Sequence, residues 1–200
     1  MKVANIRVVI MCKAPVAGRV KTRLTTVYSK AEAAELHAAM ATTVIERAKR
    51  LFDDVVIAAD DPDHLFFAAF GLPVTDQGQG SLGERMQAQV LHAFSDGGEA
   101  VLLLGTDSPH MSDDRLMQAA EAVKQFDLVI GPVEDGGYDL ITMKKAHALF
   151  DGIDWSTARV LEQTMTQIRQ LGLSCKQLET GFDVDEPEDV TRAQKAGWQL

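Results

Sequence analysis

Ala100-Val101-Leu102-Leu103-Leu104-Gly105-Thr106-Asp107-Ser108-Pro109 is the stretch on which the fold turns. Five apolar residues in a row, with no polar alternation, predict a strand buried on both faces. The run stops at a glycine, an acid and a proline, so the chain leaves the sheet there. A strand covered on both faces needs helices above and below it, and the flanking sequence supplies them. Upstream, Ser81 and Glu84 form a capping box before Met86, Val90, Leu91 and Phe94. Downstream, a helix from about Ser112 to Lys124 leads to a strand at Leu128 to Ile130.

The same alternation continues outward. Val8 to Met11 reads as a first buried strand ending in the loop Ala14-Pro15-Val16-Ala17-Gly18. Ser29 and Glu32 form a second capping box, followed at helical spacing by Leu36, Met40, Val44, Ala48 and Leu51. Val55 to Ala59 is a strand broken by Asp60-Asp61-Pro62, and Leu140 to Met143 lies in another. The last third offers a helix after Trp155, a strand around Cys175 to Leu178, and a helix opened by Pro187 and Glu188. Strands alternating with helices predict an α/β sandwich with a largely parallel sheet, and ligands at the carboxyl ends of its strands. With no repeat, low-complexity tract or long linker, residues 1–200 read as a single domain.

Composition narrows the partners. The chain is 46% hydrophobic and 24% charged, enough apolar content for a sizeable core and too much for disorder. A net charge of −9 leaves no broad basic face for nucleic acid or an anionic membrane. Small anionic ligands remain open, because a few cations and backbone N–H groups can hold a phosphate within an acidic protein. Cys12 and Cys175 lie far apart without metal-ligand spacing, which argues against a disulfide framework or zinc site. The apolar run near the N-terminus is too short for a signal peptide or a membrane span, so the expectation is a cytoplasmic protein.

Four segments could carry chemistry. The loop Lys13-Ala14-Pro15-Val16-Ala17-Gly18-Arg19-Val20-Lys21-Thr22-Arg23-Leu24 places four cations beyond a strand end. Arg can clamp phosphate oxygens, Lys supplies a mobile charge, and Gly18 permits close backbone approach. The loop is not a P-loop, since Val20 precedes Lys21 and Pro15 replaces the first glycine; a solvated basic loop is the plain alternative. Asp107 is the carboxylate that a phosphate-bound divalent ion would want at the strand mouth, although an Asx turn explains it equally well. Glu134-Asp135-Gly136-Gly137 is first of all a hairpin turn, yet it brings two acids to the same sheet edge. Asp183-Val184-Asp185-Glu186-Pro187-Glu188-Asp189 serves a helix start, and one of its acids could join Asp107 on a metal. Gly78-Gln79-Gly80-Ser81-Leu82-Gly83 matches a dinucleotide-binding pattern, but Leu72-Pro73-Val74-Thr75 before it makes a poor buried strand.

Taken together and in order, these blocks resemble the nucleotide-diphospho-sugar transferase superfamily of the GT-A type. Within it they are most similar to a bacterial glycosyltransferase family, some of whose members are associated with arsenosugar biosynthesis. The likeness runs from about Val9 to Val190. It rests on Lys13-x-Pro15-x-x-Gly18-x-x-Lys21-Thr22-Arg23-Leu24, Leu82-Gly83-Glu84-Arg85-Met86, Gly105-x-Asp107-x-Pro109, Gly131-Pro132 with Asp135-Gly136-Gly137-Tyr138, Trp155-Ser156-Thr157, and Asp183-Val184-Asp185 with Pro187-Glu188-Asp189. More distantly the chain is similar to guanylyltransferases of molybdenum-cofactor and phospholactate metabolism and to sugar-nucleotide cytidylyltransferases.

The resemblance implies a GT-A-like three-layer α/β/α sandwich with a mostly parallel mixed sheet. It also implies a Mg²⁺ or Mn²⁺ ion on Asp107 and Asp185, and nucleotide phosphates on Lys21 and Arg23. Lys13, Gly18, Gly83 and Arg85 are further nucleotide-binding candidates. The expected ligands are a nucleotide or nucleotide-sugar donor and a small-molecule acceptor. In glycosyl transfer Asp135 or Glu134 would deprotonate the acceptor; in nucleotidyl transfer a phosphorylated acceptor needs no base. Lys21 would stabilise the leaving phosphates in either case. A nucleotide-binding protein without turnover is the third reading. The chain departs from the family pattern at His110, where the family has an acid after Pro109, and at Ser81, where it has an acid before Leu82. It departs again at Asp139-Leu140-Ile141-Thr142, where an aromatic and Leu-Ile-Gly are expected; all three changes bear on the acceptor side.

Overall fold

In the computed structural model, which describes residues 2–200, the apolar runs assemble into one seven-stranded sheet. The chain proceeds through β1 (Val3–Cys12), α1 (Lys30–Leu51), β2 (Phe52–Ala59), the short α2 (Leu65–Ala68), β3 (Val74–Asp76), α3 (Leu82–Ser95) and β4 (Ala100–Leu104). It continues through α4 (Asp113–Ala122), β5 (Leu128–Pro132), β6 (Tyr138–Met143), α5 (Val160–Gln170), β7 (Cys175–Gln177) and α6 (Pro187–Lys195). The strand order is β3-β2-β1-β4-β6-β5-β7, and only β6 runs antiparallel to its neighbours. The sheet is thus mixed and mostly parallel.

Alternate residues of the central strands feed two separate cores. Val8, Ile10, Leu102 and Leu104 pack on one face against Ala41, Val44, Ile45 and Ala48 of α1 and Leu116 and Ala119 of α4. Val9, Val101, Leu103 and Ile141 pack on the other against Met86, Val90 and Ala93 of α3 and Ile168 of α5. This is the three-layer α/β/α arrangement, and it explains why β4 shows no polar alternation: both of its faces are buried. Both expected capping boxes form, Ser29 with Glu32 and Ser81 with Glu84. Val74–Asp76, too polar to read as a core strand, pairs with β2 at the sheet edge, where burial on both faces is not required. No described helix is long and apolar enough to cross a membrane.

Placing β6 between β4 and β5 carries a buried charge into the sandwich. Asp139 is 6% exposed, and Arg115 of α4 reaches it with Nε at 3.0 Å and Nη2 at 3.1 Å from its two carboxylate oxygens. The same guanidinium donates to the carbonyls of Pro132 and Glu179, so it ties α4 to the ends of β5 and β7. Gly131 is small because a Cβ there would lie 2.3 Å from Asp139 Oδ1. The acid that replaces the expected aromatic therefore has its own built-in partner. Burial pushes the Asp139 carboxyl up to about 6, outweighing the guanidinium beside it. Its contribution to stability is then present below the ordinary aspartate range near pH 4 and is lost as pH rises through about 6.

Removing one partner of a buried pair leaves the other charge uncompensated. Arg115→Met is expected to lower unfolding free energy at pH 7 by about 3–5 kcal/mol. Arg115→Met combined with Asp139→Leu should recover most of that loss. Urea denaturation followed by circular dichroism measures both, and a larger loss in the double variant would contradict the assignment.

Candidate functional site

Three segments meet at the carboxyl end of the sheet. The first is the loop after β1. Its backbone is pinned where Ala14 N–H donates to Asp60 Oδ1 at 2.6 Å and where His37 Nε2 of α1 bonds the Lys13 carbonyl at 2.9 Å. Lys21 then adopts left-handed backbone angles, φ 45° and ψ 44°. That geometry costs a β-carbon residue about 1–2 kcal/mol, so the surroundings must hold it there. They do: Val20 is buried just before it, and Leu24, in the 3-10 turn Thr22–Thr26, is fully buried just after.

The second segment is the turn that ends β4, and the third is the chain between β7 and α6. Gly181 N–H donates to Pro132 O, Glu134 N–H to Gly181 O, and Val184 N–H to Asp107 O at 2.8 Å. Ser108 Oγ lies 2.7 Å from Asp183 Oδ1 and 2.9 Å from the Phe182 carbonyl. These bonds draw the acidic run off the sheet edge and across the mouth of β4. Val184 then packs in a third apolar cluster with Leu24, Leu36, Met40, Val190 and Trp198. Full burial of a valine is worth about 1.5–3 kcal/mol, so this cluster clamps the Lys21 loop and the Asp185 segment together.

The outcome is a shared cation position. Lys21 Nζ stands 2.7 Å from Asp107 Oδ1, 2.9 Å from Asp185 Oδ1 and 2.8 Å from the Val184 carbonyl. Arg23 Nη1 reaches the other Asp185 oxygen at 3.2 Å. The Lys21 side chain is only 7% exposed while that of Asp107 is 47% exposed, so the ammonium lies inside and the carboxylate faces the mouth. Burial works against the charge on Lys21, but Asp107 and Asp185 overcome it and hold its pKa above the usual lysine range. Partial desolvation at the sheet mouth pushes the Asp107 carboxyl up, but the Lys21 ammonium wins and holds it below the ordinary aspartate value.

Three hard oxygens converging on one positive charge is a donor set suited to Mg²⁺ or Mn²⁺. Among the described residues no three or more His, Cys, Asp or Glu side chains group as a metal site. Two protein carboxylates and one carbonyl would fill only part of such an ion's coordination sphere and leave its other positions to further oxygen ligands.

The other expected site residues divide. Lys13 and Arg19 are exposed and enter no ion pair among the described residues, so their charge is directed outward. Gly18 has φ +79° and sits against the Lys30 stem, which fits a close backbone turn. Asp135 is exposed at the hairpin between β5 and β6, with Oδ1 accepting the Gly137 N–H at 2.8 Å. Glu134 is committed elsewhere: both its oxygens receive Arg192 at 2.6 Å, which lowers its pKa and makes it a weak base. Arg192 also lies 3.7 Å above the Phe182 ring, whose other partner is His110, stacked at 3.7 Å. Burial, with the positive charges of Arg192, Arg47 and Arg115, pushes His110 down to about 4, so it is neutral at physiological pH.

Gly83, expected near the phosphates, has a packing reason of its own to be glycine. It is buried, and a Cβ would lie 2.5 Å from both the Phe150 carbonyl and Trp155 Nε1, so its small size serves helix packing. Arg85 does reach the sheet end, held there by Gln77. Gln77 was not legible as a site residue; its amide is buried and bonds the carbonyls of Cys12 and Ala58, bracing the ends of β1 and β2. Asp183 was also missed as an individual. Burial and the neighbouring Asp107 push its carboxyl up to about 7.

Residues 41–157 match the family described as "Uncharacterized protein conserved in bacteria (DUF2064)". The solved structure of a Desulfovibrio desulfuricans G20 protein, provisionally assigned as a nucleotide-diphospho-sugar transferase, is 32% identical with a TM-score of 0.86. That match covers 92% of this chain and 84% of the other. The 2-phospho-L-lactate guanylyltransferase of Methanobrevibacter smithii is 26% identical over 125 residues, covering 62% of this chain and 56% of its own length. The chain thus spans little more than half of that curated relative. A CMP:2-keto-3-deoxy-manno-octonic acid synthetase, solved with CTP, shares the fold at TM-score 0.62 and 13% identity, covering 95% of this chain and 97% of the other.

The Asp135 turn is held by packing as well as by its hydrogen bond. Gly136 has φ +88°, and a Cβ there would lie 2.2 Å from the Ala158 carbonyl, whereas Gly152, φ +67°, has nothing within 4 Å. Gly136→Ala should therefore lose about 1–3 kcal/mol more stability than Gly152→Ala. Equal losses in parallel denaturant titrations would show that the 155–158 segment does not press on this turn.

Proposed function

As a member of the DUF2064 family, this chain is, we propose, a divalent-metal-dependent transferase that moves a sugar from a nucleotide-sugar to a small acceptor. The observation that carries the reading is the convergence of Asp107 and Asp185 on one cation position beside a cationic loop. The likeness to a nucleotide-diphospho-sugar transferase over 92% of the chain supports the donor class.

In this reading Asp107 and Asp185 hold Mg²⁺ or Mn²⁺ with the donor's diphosphate. The ion would supply Lewis-acid stabilisation of the charge that develops on the leaving phosphate. Lys13, Lys21 and Arg23 neutralise the remaining oxygens, and Gly18 lets the backbone approach them. Arg85, presented by Gln77, faces the same sheet end and adds a donor for the nucleotide. Asp135 is the acceptor's base, because Glu134 is paired with Arg192.

Nucleotidyl transfer is the second reading, and two observations favour it. Glu134 is unavailable as a base, which that chemistry does not need, and the loop carries more cations than a diphosphate requires. The 26% identity to a guanylyltransferase points the same way.

Incubation with Mn²⁺, a panel of nucleotide-sugars, the four nucleoside triphosphates and a metabolite extract separates the two. Nucleotide-sugar-dependent release of nucleoside diphosphate is the expected result; pyrophosphate release from a triphosphate would replace the first reading with the second. Asp107→Asn should reduce metal-dependent nucleotide binding by at least about tenfold, the loss of one charged hydrogen-bonding partner. Unchanged binding by calorimetry would remove Asp107 from the metal site.

A further inference from the structure

Lys21 occupies the position at which the two acids converge. Its ammonium is within 2.9 Å of both carboxylates and 2.8 Å of the Val184 carbonyl, the three oxygens a metal would use. A divalent ion and an ammonium cannot share that position, since both need the same lone pairs and like charges repel. Lys21 must withdraw before Asp107 and Asp185 can bind an ion together.

The chain provides somewhere for it to go. Lys21 carries a flexible four-carbon stem on a left-handed backbone, in a loop where Lys13 and Arg19 are exposed and Arg23 shares its hold on Asp185. Donor phosphates arriving at that loop would offer the ammonium new oxygens while bringing negative charge that favours the ion. Without nucleotide or metal, withdrawing Lys21 would leave the Asp107 and Asp185 carboxylates facing each other with no cation between them, which like-charge repulsion opposes.

We propose that Lys21 gates the cation site: without nucleotide its ammonium excludes the divalent ion from Asp107 and Asp185, and phosphate binding draws it away to admit the ion. The inference rests on the assignment of those two acids as metal ligands. Metal and nucleotide then bind as a linked pair, and the free protein does not load metal ahead of its donor.

The test is Mn²⁺ binding, read by electron paramagnetic resonance of the free ion and by calorimetry, without turnover. Wild type should bind Mn²⁺ weakly alone and tightly with a nucleoside triphosphate or nucleotide-sugar. Lys21→Met should bind Mn²⁺ alone more tightly than wild type by between about 5- and 150-fold, the usual span of coupling between linked sites. Adding Asp107→Asn should abolish that gain. Arg23→Met removes a charge from the same carboxylate without vacating the shared position, so it should gain much less. Lys21→Gln serves the same purpose if the methionine variant does not fold.

Equal gains in Lys21→Met and Arg23→Met would overturn the gate by reducing it to general electrostatics. No gain in Lys21→Met, with nucleotide-dependent Mn²⁺ binding still lost in Asp107→Asn, would overturn the gate and leave the metal ligands standing. No Mn²⁺ binding by wild type under any condition would overturn both.

Discussion

One buried ammonium joins parts of the chain that are otherwise far apart. Lys21, Asp107 and Asp185 come from the loop after the first strand, the turn after the fourth, and the run before the last helix. Each carboxylate alone would be an ordinary turn residue. Held on one cation they become a site, and the cost of burying the lysine charge is offset only because all three acceptors are present. The geometry is maintained from outside by the apolar cluster of Leu24, Met40, Val184 and Trp198, so packing and electrostatics constrain the same residues.

The rest of the sheet edge follows a division of labour set by charge. On one side, the β1 loop carries its cations and Gln77, bonded to the ends of β1 and β2, braces Arg85. On the other, β6 enters antiparallel and its hairpin offers Asp135 beside the acidic run. Between them Arg115 crosses from α4 to Asp139 and two carbonyls, which stiffens the edge that carries β6 and its hairpin. The stack of His110, Phe182 and Arg192 closes that edge and ends on Glu134. Departures from the family pattern at His110 and Asp139 are therefore not lost functions in isolation; each is embedded in a contact set of its own.

Residues whose role depends on local pattern were legible in the sequence. Ala100–Leu104 announced a doubly covered strand through its unbroken apolar run, and Ser29-Glu32 and Ser81-Glu84 announced helix starts through capping chemistry that needs only four residues. Val74–Asp76 was harder, because an edge strand need not be apolar. The pairing of Asp107 with Asp185 came from the resemblance, since their spacing of 78 positions carries no local signal. What no pattern could reveal was Lys21 standing between them, Arg192 claiming Glu134, or Trp155 pressing on Gly83. These are contacts between distant segments, decided by how the layers pack.

In the proposed function Asp107 and Asp185 share one divalent ion with a bound nucleotide. A crystal structure of the protein soaked with Mn²⁺ and its nucleotide donor, phased to show the anomalous signal of manganese, tests it most directly. The predicted result is a single manganese peak between the two carboxylates, with the Lys21 ammonium moved onto phosphate oxygens. A bound nucleotide with Lys21 still bridging Asp107 and Asp185, and manganese absent or held by other residues, would contradict it.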